Sequence, residues 1–269
     1  MKHNGRLSGL FNSTLITGSS PLRQNFAVIL FAVLIAPPLA GMVVSFENPV
    51  SSFYNMFFIS IMRWTVFPVS LVVLFFCANH LWPYIQSRGR SVFQDGRFAG
   101  VLASGSLTII GFIFGALIRN PNTLIPAHYH AAIGAVTVSF MAISYELLPR
   151  FGFILSPRAK RYSGWQPFVF GAGQIVFASG FALAGAAGMG RKLYGGEQHV
   201  RGTLDYIGLG LVGLGGIVAV IGGLIFLGIV ILAVFARVRS LNRASILSEI
   251  SERKEDSVWK EAANIPSRS

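Results

Sequence analysis

Six long apolar runs, separated by short polar loops, constrain the fold of this chain more than any other feature. They lie at roughly 24–46, 54–82, 98–119, 124–149, 165–189 and 204–236. A helix needs about 20 predominantly apolar residues to cross the hydrocarbon layer of a bilayer, and each run reaches that length. The sequence therefore predicts an all-α fold, a polytopic membrane helix bundle with about six transmembrane helices.

Composition supports the same class of protein. Of the 269 residues, 53% are hydrophobic and only 12% are charged, whereas soluble domains carry roughly 25% charged residues. The formal net charge of +12 could indicate nucleic-acid binding, but the positive charges lie in short loops between apolar runs. That placement follows the positive-inside rule, so we expect no nucleic-acid partner. The single cysteine, Cys77, lies in an apolar run and excludes a disulfide framework or a cysteine-based metal site.

The loop charges also predict the orientation in the membrane. Four basic clusters fall on one side, which we expect to be cytoplasmic: Lys2, Arg6 and Arg23; Arg88, Arg90 and Arg97; Arg150, Arg158, Lys160 and Arg161; and Arg237, Arg239 and Arg243. Both termini then lie in the cytoplasm of a bacterial or archaeal-type inner membrane. We expect a cytoplasmic segment at 1–23, without a cleavable signal peptide, and a six-helix membrane domain at 24–243. Residues 244–269 are expected to form a cytoplasmic tail, either a short amphipathic helix or a disordered extension.

One outer loop breaks the charge rule. The segment Arg191–Asp205 carries Arg191, Lys192 and Arg201 on the side that should be poor in positive charge. This exception to the positive-inside rule suggests that the basic residues have a function.

Two histidines near the start of the fourth run are the strongest candidates for a functional site. His128 and His130 are one residue apart in an apolar run, and ionisable groups in that environment usually have a partner. On a helix of about 3.6 residues per turn, positions i and i+2 lie about 200° apart. The two imidazoles should therefore point to opposite flanks, where they cannot bind one metal together but can serve two sites. The alternative is a satisfied polar contact between helices.

Other polar and small residues within the runs allow structural or functional interpretations. Arg63 lies inside the second run, and it could either snorkel to the outer face or bind an anion such as a carboxylate. Near the cytoplasmic end of its helix, Glu146 could either snorkel to the membrane surface or pair with Arg150 at i+4. Helix packing is predicted by a stripe of small residues and by the glycine-dense sixth run: Gly180, Ala184 and Gly188 in the stripe, and Gly208, Gly210, Gly213, Gly215, Gly216, Gly222, Gly223 and Gly228 in the run.

Three motifs occur in a characteristic order: IPAHYHAAIGAV, then YELLPRFG at the other end of the same helix, then GAAGMGRKLYG after the fifth run. Together they resemble subunit I of the haem-copper oxidases, in which the tenth helix carries a His-aromatic-His motif. The upstream segment FIFGALIRNPN is similar to the ninth helix and its exit loop. The resemblance covers only the C-terminal half of subunit I, its last six helices.

The resemblance implies a set of cofactor-binding residues. His128 would bind the iron of a high-spin haem, and His130 would be one axial ligand of a low-spin haem. We place His130 ahead of His128, because a low-spin haem needs only one more histidine. Arg191 and Lys192 match a basic pair that binds haem propionates, where charge-assisted hydrogen bonds are favourable. Arg63 is included in this set on the interpretation that its partner is a carboxylate.

The chain also departs from the family pattern. Gly190 stands where the family usually has proline, and Lys192 replaces an arginine that could bind in a bidentate manner. The His-Asp pair before the motif is absent, the first run contains no histidine, and the helices that supply the remaining copper and haem ligands have no counterpart. We therefore expect one or two haems of unspecified type, no copper site in this chain alone and no oxygen reduction without a partner.

The resulting expectation is a haem-binding subunit of a respiratory complex related to cytochrome c oxidase, an oxidoreductase that is inactive as this chain alone. A second membrane subunit or a second copy of the chain would supply the missing ligands, and a cytochrome or cupredoxin would donate electrons. The first alternative is a haem-free structural or assembly subunit that retains the fold. A transporter or sensor using Arg63, Glu146 and the histidines is a further class, although no inverted repeat supports a transporter.

Overall fold

The computed structural model describes residues 24–192, 200 and 202–263, and the described part of the chain is predominantly helical. The helices are α1 (Gln24–Val44), α2 (Ser52–Ile61), α3 (Phe67–Arg88), α4 (Gly96–Leu117), α5 (Leu124–Arg150), α6 (Pro157–Ala186) and α7 (Thr203–Ala263). A π-helical segment, Met62–Val66, joins α2 to α3, and a 3₁₀-helix, Gly89–Gln94, follows α3. Within these described ranges, six helical segments are long and apolar enough to cross a membrane. The predicted all-α bundle with six membrane-type helices is thus confirmed at this level.

Several helices extend beyond the apolar runs that predicted them. The second segment is a 37-residue rod, Ser52–Arg88, and α6 already begins at Pro157, where the Ser156 side chain accepts a hydrogen bond from the Ala159 N–H. Serine at the N-cap with proline at the first helical position favours such a start. Helix α7 continues through the predicted tail to Ala263, so no break separates tail and membrane domain in the described residues. No glycine or proline occurs between Gly228 and Pro266 to end it.

Glycines allow α6 and α7 to pack with their backbones in contact. A Cβ atom at Gly215 of α7 would lie 2.7 Å from Phe177 Cα and 2.8 Å from the Gly173 carbonyl oxygen, both on α6. Further along, a Cβ atom at Gly208 would lie 3.0 Å from Ala184 Cβ. The predicted packing role is therefore confirmed for Gly180, Gly208, Gly215, Gly216 and Gly222. It is wrong for Gly188, which follows the end of α6 with a φ of +93°, and for Gly210, Gly213, Gly223 and Gly228, where a Cβ atom would meet nothing within 4 Å.

A buried glutamine connects three helices inside the bundle. Gln166 of α6 is fully buried. Its Oε1 accepts a hydrogen bond from the Tyr145 hydroxyl of α5 at 2.9 Å, and its Nε2 donates to the Gly222 carbonyl of α7 at 2.9 Å. Because lipid offers no competing partners, such internal bonds satisfy groups that would otherwise be costly to bury.

The N-terminal helices are packed less tightly than the rest. In the most apolar window of each segment, 6% of the residues of α1 and of the rod are buried, against 39% for α5 and for α6. A cavity of about 540 Å³ separates α3 from α4, and its lining residues include Val69, Leu81, Phe98 and Ser139. Helices α4–α7 therefore form the tightly packed part of the described structure.

Candidate functional site

The two histidines project toward different neighbouring helices. His128 hydrogen-bonds through Nδ1 to the Gly111 carbonyl oxygen of α4, at 2.7 Å. The His130 ring contacts Phe177 and Phe181 of α6. The predicted opposite projection from one helix is confirmed.

The hydrogen bond fixes the state of the His128 imidazole. A carbonyl oxygen can only accept, so Nδ1 carries the proton and Nε2 has a free lone pair in the neutral ring. Histidines that bind metals are usually oriented in this way, with the other ring nitrogen donating to a carbonyl or carboxylate. Glycine on α4 makes the close approach feasible, because a Cβ atom at Gly115 would lie 2.8 Å from His128 Nδ1. The arrangement of His128 thus fits a haem ligand.

His130 has the surroundings of a packed residue. Its ring centroid lies 4.8 Å from that of Phe177 in an edge-to-face arrangement, and 5.7 Å from that of Phe181 with the planes 6° apart. Aromatic pairs of this kind are stabilising by about 0.5–1.5 kcal/mol beyond their area. The two histidines therefore differ in their surroundings, with a hydrogen bond at His128 and ring packing at His130, and the haem-ligand roles of both stay predictions.

The basic pair lies at the same end of the bundle as the histidines. The Thr123 N–H donates to the Met189 carbonyl at 3.0 Å, and Asn122 forms an isolated antiparallel bridge with Gly190. These contacts fasten the segment after α6 to the start of α5. Arg191 and Lys192, both exposed, follow directly. Residues 193–199 and Arg201 of this loop lie outside the described residues.

Arg63 lies on a different helical segment from the two histidines and the basic pair. It belongs to the π-helical segment Met62–Val66 and is exposed. In the described part of the chain, no carboxylate lies within ion-pair distance of it. π-helical segments often occur at functional sites, but both interpretations of Arg63 stay open and its cofactor-binding role stays a prediction.

A polar network at the opposite end of the bundle escaped sequence reasoning. Arg97 donates from Nε to Asp95 Oδ1 at 3.0 Å and from its terminal nitrogen to Oδ2 at 2.9 Å. The Tyr84 hydroxyl also donates to Asp95 Oδ2, at 2.9 Å. Glu146 lies 3.6 Å from Arg97 Nε, so the expected pairing of Glu146 with Arg150 is wrong. The bond between Asp95 and Arg97 is local, whereas Tyr84 and Glu146 join it only through the packing of α3, α4 and α5.

The Asp95 carboxylate should make the stability of this polar network sensitive to acid. Burial acts to raise the pKa of the Asp95 carboxyl, but hydrogen bonds from the Arg97 side chain and backbone outweigh it, and the pKa lies below its ordinary value of 3.8. The resulting stabilisation is present above the unfolded-state pKa of about 3.9 and is lost as pH falls through the folded-state pKa. We expect the thermal midpoint in detergent to fall below about pH 4, and this acid loss to be smaller in Asp95→Asn. Identical acid profiles for the two proteins would contradict this.

Comparison with known proteins finds similarity to an uncharacterized protein of Rickettsia prowazekii (strain Madrid E), with 29% identity over 135 residues. The match covers 47% of this chain and 26% of the relative, so only about a quarter of that protein is represented. No protein-family model matches the chain, and no solved structure matches it significantly. The chain is therefore similar to part of a longer protein to which no activity is assigned.

Proposed function

We propose that this chain is a haem-binding integral membrane subunit of a respiratory terminal-oxidase-like complex, and that it needs a partner chain for oxygen reduction. The observation that carries the proposal is the hydrogen bond from His128 Nδ1 to the Gly111 carbonyl, because it leaves Nε2 available to iron. The Thr123–Met189 contact supports it by holding a basic segment near the same end.

Each residue would have a distinct task in haem binding. His128 would offer Nε2 to the iron, while Gly111 holds the imidazole in the required tautomer. Arg191 and Lys192 would donate charge-assisted hydrogen bonds to the propionates. Haem, when bound, supplies one-electron redox chemistry, which the protein tunes through the ligand, hydrogen bonding and burial. His130 fits a second haem less well, since Phe177 and Phe181 pack against its ring.

A reduced-minus-oxidised optical spectrum of the protein, purified with its native partners, tests the proposal. We expect haem bands in the wild type and loss of the band of the haem bound by His128 in His128→Ala. Tyr129→Phe is a matched control, because Tyr129 is 44% exposed and lies between the histidines. The thermal midpoint of each variant shows whether it is folded. A colourless, folded wild-type complex would refute haem binding.

A haem-free structural or assembly subunit is the second candidate. It is favoured by the packing of His130 against Phe177 and Phe181, which is a sufficient structural role for this histidine. In that case, the purified complex would be colourless, and His130→Ala would reduce the amount of assembled complex without any spectral change.

A further inference from the structure

The helix ends opposite the histidines surround a second cavity, of about 750 Å³. It lies where α3 ends, α4 begins, α5 ends and α6 begins, on the side that the loop charges predict to be cytoplasmic. Its charged lining residues are Arg88, Arg97, Arg150, Lys160, Asp95 and Glu146, and Ser91 and Ser163 add hydroxyl groups. The proposed haem ligands are not among its lining residues, so this cavity is a different site from the proposed haem site.

The charges around this cavity are unbalanced. Its four cationic and two anionic side chains give a formal charge of +2. Arg97 forms ion pairs with both carboxylates, at 2.9 Å from Asp95 and 3.6 Å from Glu146. The three other cations, Arg88, Arg150 and Lys160, are exposed and have no carboxylate partner among the described residues. They come from three different helices and converge on one space.

Part of the cavity wall is fixed by hydrogen bonds and by a backbone contact. Arg97 is fixed by two hydrogen bonds to Asp95, which also caps α4 by accepting from the Arg97 N–H at 2.9 Å. The 3₁₀-helix Gly89–Gln94 touches α6 through backbone, since a Cβ atom at Gly164 would lie 2.6 Å from the Gln94 carbonyl oxygen. A preformed space binds a ligand with a smaller ordering cost than a mobile one.

We propose that this cavity binds a phosphate group, supplied by the headgroup of an anionic lipid or by free phosphate. Guanidinium and ammonium groups bind phosphate oxygens through charge-assisted hydrogen bonds, and basic pockets between transmembrane helices bind lipid headgroups such as that of cardiolipin. Phe151 and Ile154 follow Arg150 with 68% and 67% of their surface exposed, and they offer apolar contacts for acyl chains. This proposal does not depend on haem.

Native mass spectrometry in detergent, with titration of cardiolipin against phosphatidylcholine, tests the site. We expect preferential retention of cardiolipin by the wild type and at least about tenfold weaker binding in the double variant Arg150→Gln/Lys160→Gln, because this variant lacks two of the cations that would donate charge-assisted hydrogen bonds to the phosphate. Arg158→Gln/Arg161→Gln is a control matched in charge, because both residues are exposed near the start of α6 and lie outside the cavity lining. It should bind as the wild type does.

A second arm distinguishes the two sources of phosphate. If millimolar inorganic phosphate raises the thermal midpoint of the wild type but not of Arg150→Gln/Lys160→Gln, and cardiolipin does not bind preferentially, the site exists and takes free phosphate. Equal losses of lipid in the two double variants would show attraction by surface charge alone and overturn the proposal. Absence of both cardiolipin preference and phosphate protection in the wild type would overturn it too. Thermal midpoints without added ligand show which variants are folded.

Discussion

Replacing Gly215 with leucine is expected to destabilise the membrane bundle severely, whereas the same change at Gly213 should have little effect. A Cβ atom at Gly215 would lie 2.7 Å from Phe177 Cα, and backbone atoms cannot move aside as a flexible side chain can. Overpacking of a core typically costs about 1–3 kcal/mol and occasionally more. We expect at least about 3 kcal/mol here, because α6 and α7 must separate.

Gly213 is a close control because it lies two residues away on the same helix and a Cβ atom there would meet nothing within 4 Å. Both substitutions change helix propensity by the same amount in favour of the helix, somewhat less than the roughly 0.8–1.0 kcal/mol that separates glycine from alanine. The measurement is the fraction of monodisperse protein and the thermal midpoint in detergent. If the two variants had equal midpoints, the close contact of α6 with α7 would not contribute to stability.

The positions of the membrane helices could be predicted because each crosses a layer of fixed thickness. The run at 124–149, for example, corresponds to α5, Leu124–Arg150. Helix ends that lie outside the apolar layer were harder to predict, since a hydropathy pattern contains no information on polar helical turns. That is why the early start of α6 at Pro157 was missed, and why a helix in the tail was expected only as one of two alternatives and not as a continuation of α7 to Ala263.

The candidate site, too, could be predicted from the sequence only in part. Helical periodicity alone predicted that His128 and His130 point apart. It could not predict which neighbour each histidine meets, and therefore could not distinguish the hydrogen bond to Gly111 from the packing against Phe177. The network of Asp95, Arg97 and Glu146 was missed because Arg97 and Glu146 meet only through tertiary packing.

Two glutamines on α6 allow the buried polar network to be tested within one helix. Gln166 bonds to Tyr145 and to the Gly222 carbonyl, whereas the side-chain oxygen of Gln174 is buried with no hydrogen-bond partner among the described residues. In Gln166→Leu, the Tyr145 hydroxyl and the Gly222 carbonyl are left without this partner. Leaving the buried Tyr145 hydroxyl unsatisfied costs about 1–3 kcal/mol, and loss of the bond to the Gly222 carbonyl, which keeps its bond within α7, costs about 1 kcal/mol more, so we expect a loss of about 2–4 kcal/mol.

Gln174→Leu should be neutral or stabilising, because it removes a buried oxygen that lacks a partner. Unfolding of both variants in detergent, followed by far-UV circular dichroism, gives the two changes in free energy. Tyr145→Phe, alone and combined with Gln166→Leu, completes a double-mutant cycle, which isolates the energy of the Tyr145–Gln166 bond at 2.9 Å. Hydrogen bonds between transmembrane helices average only about 0.6 kcal/mol in such cycles. A large loss in Gln166→Leu with a small coupling energy would therefore mean that the cost lies in the unsatisfied groups and not in the strength of the bond.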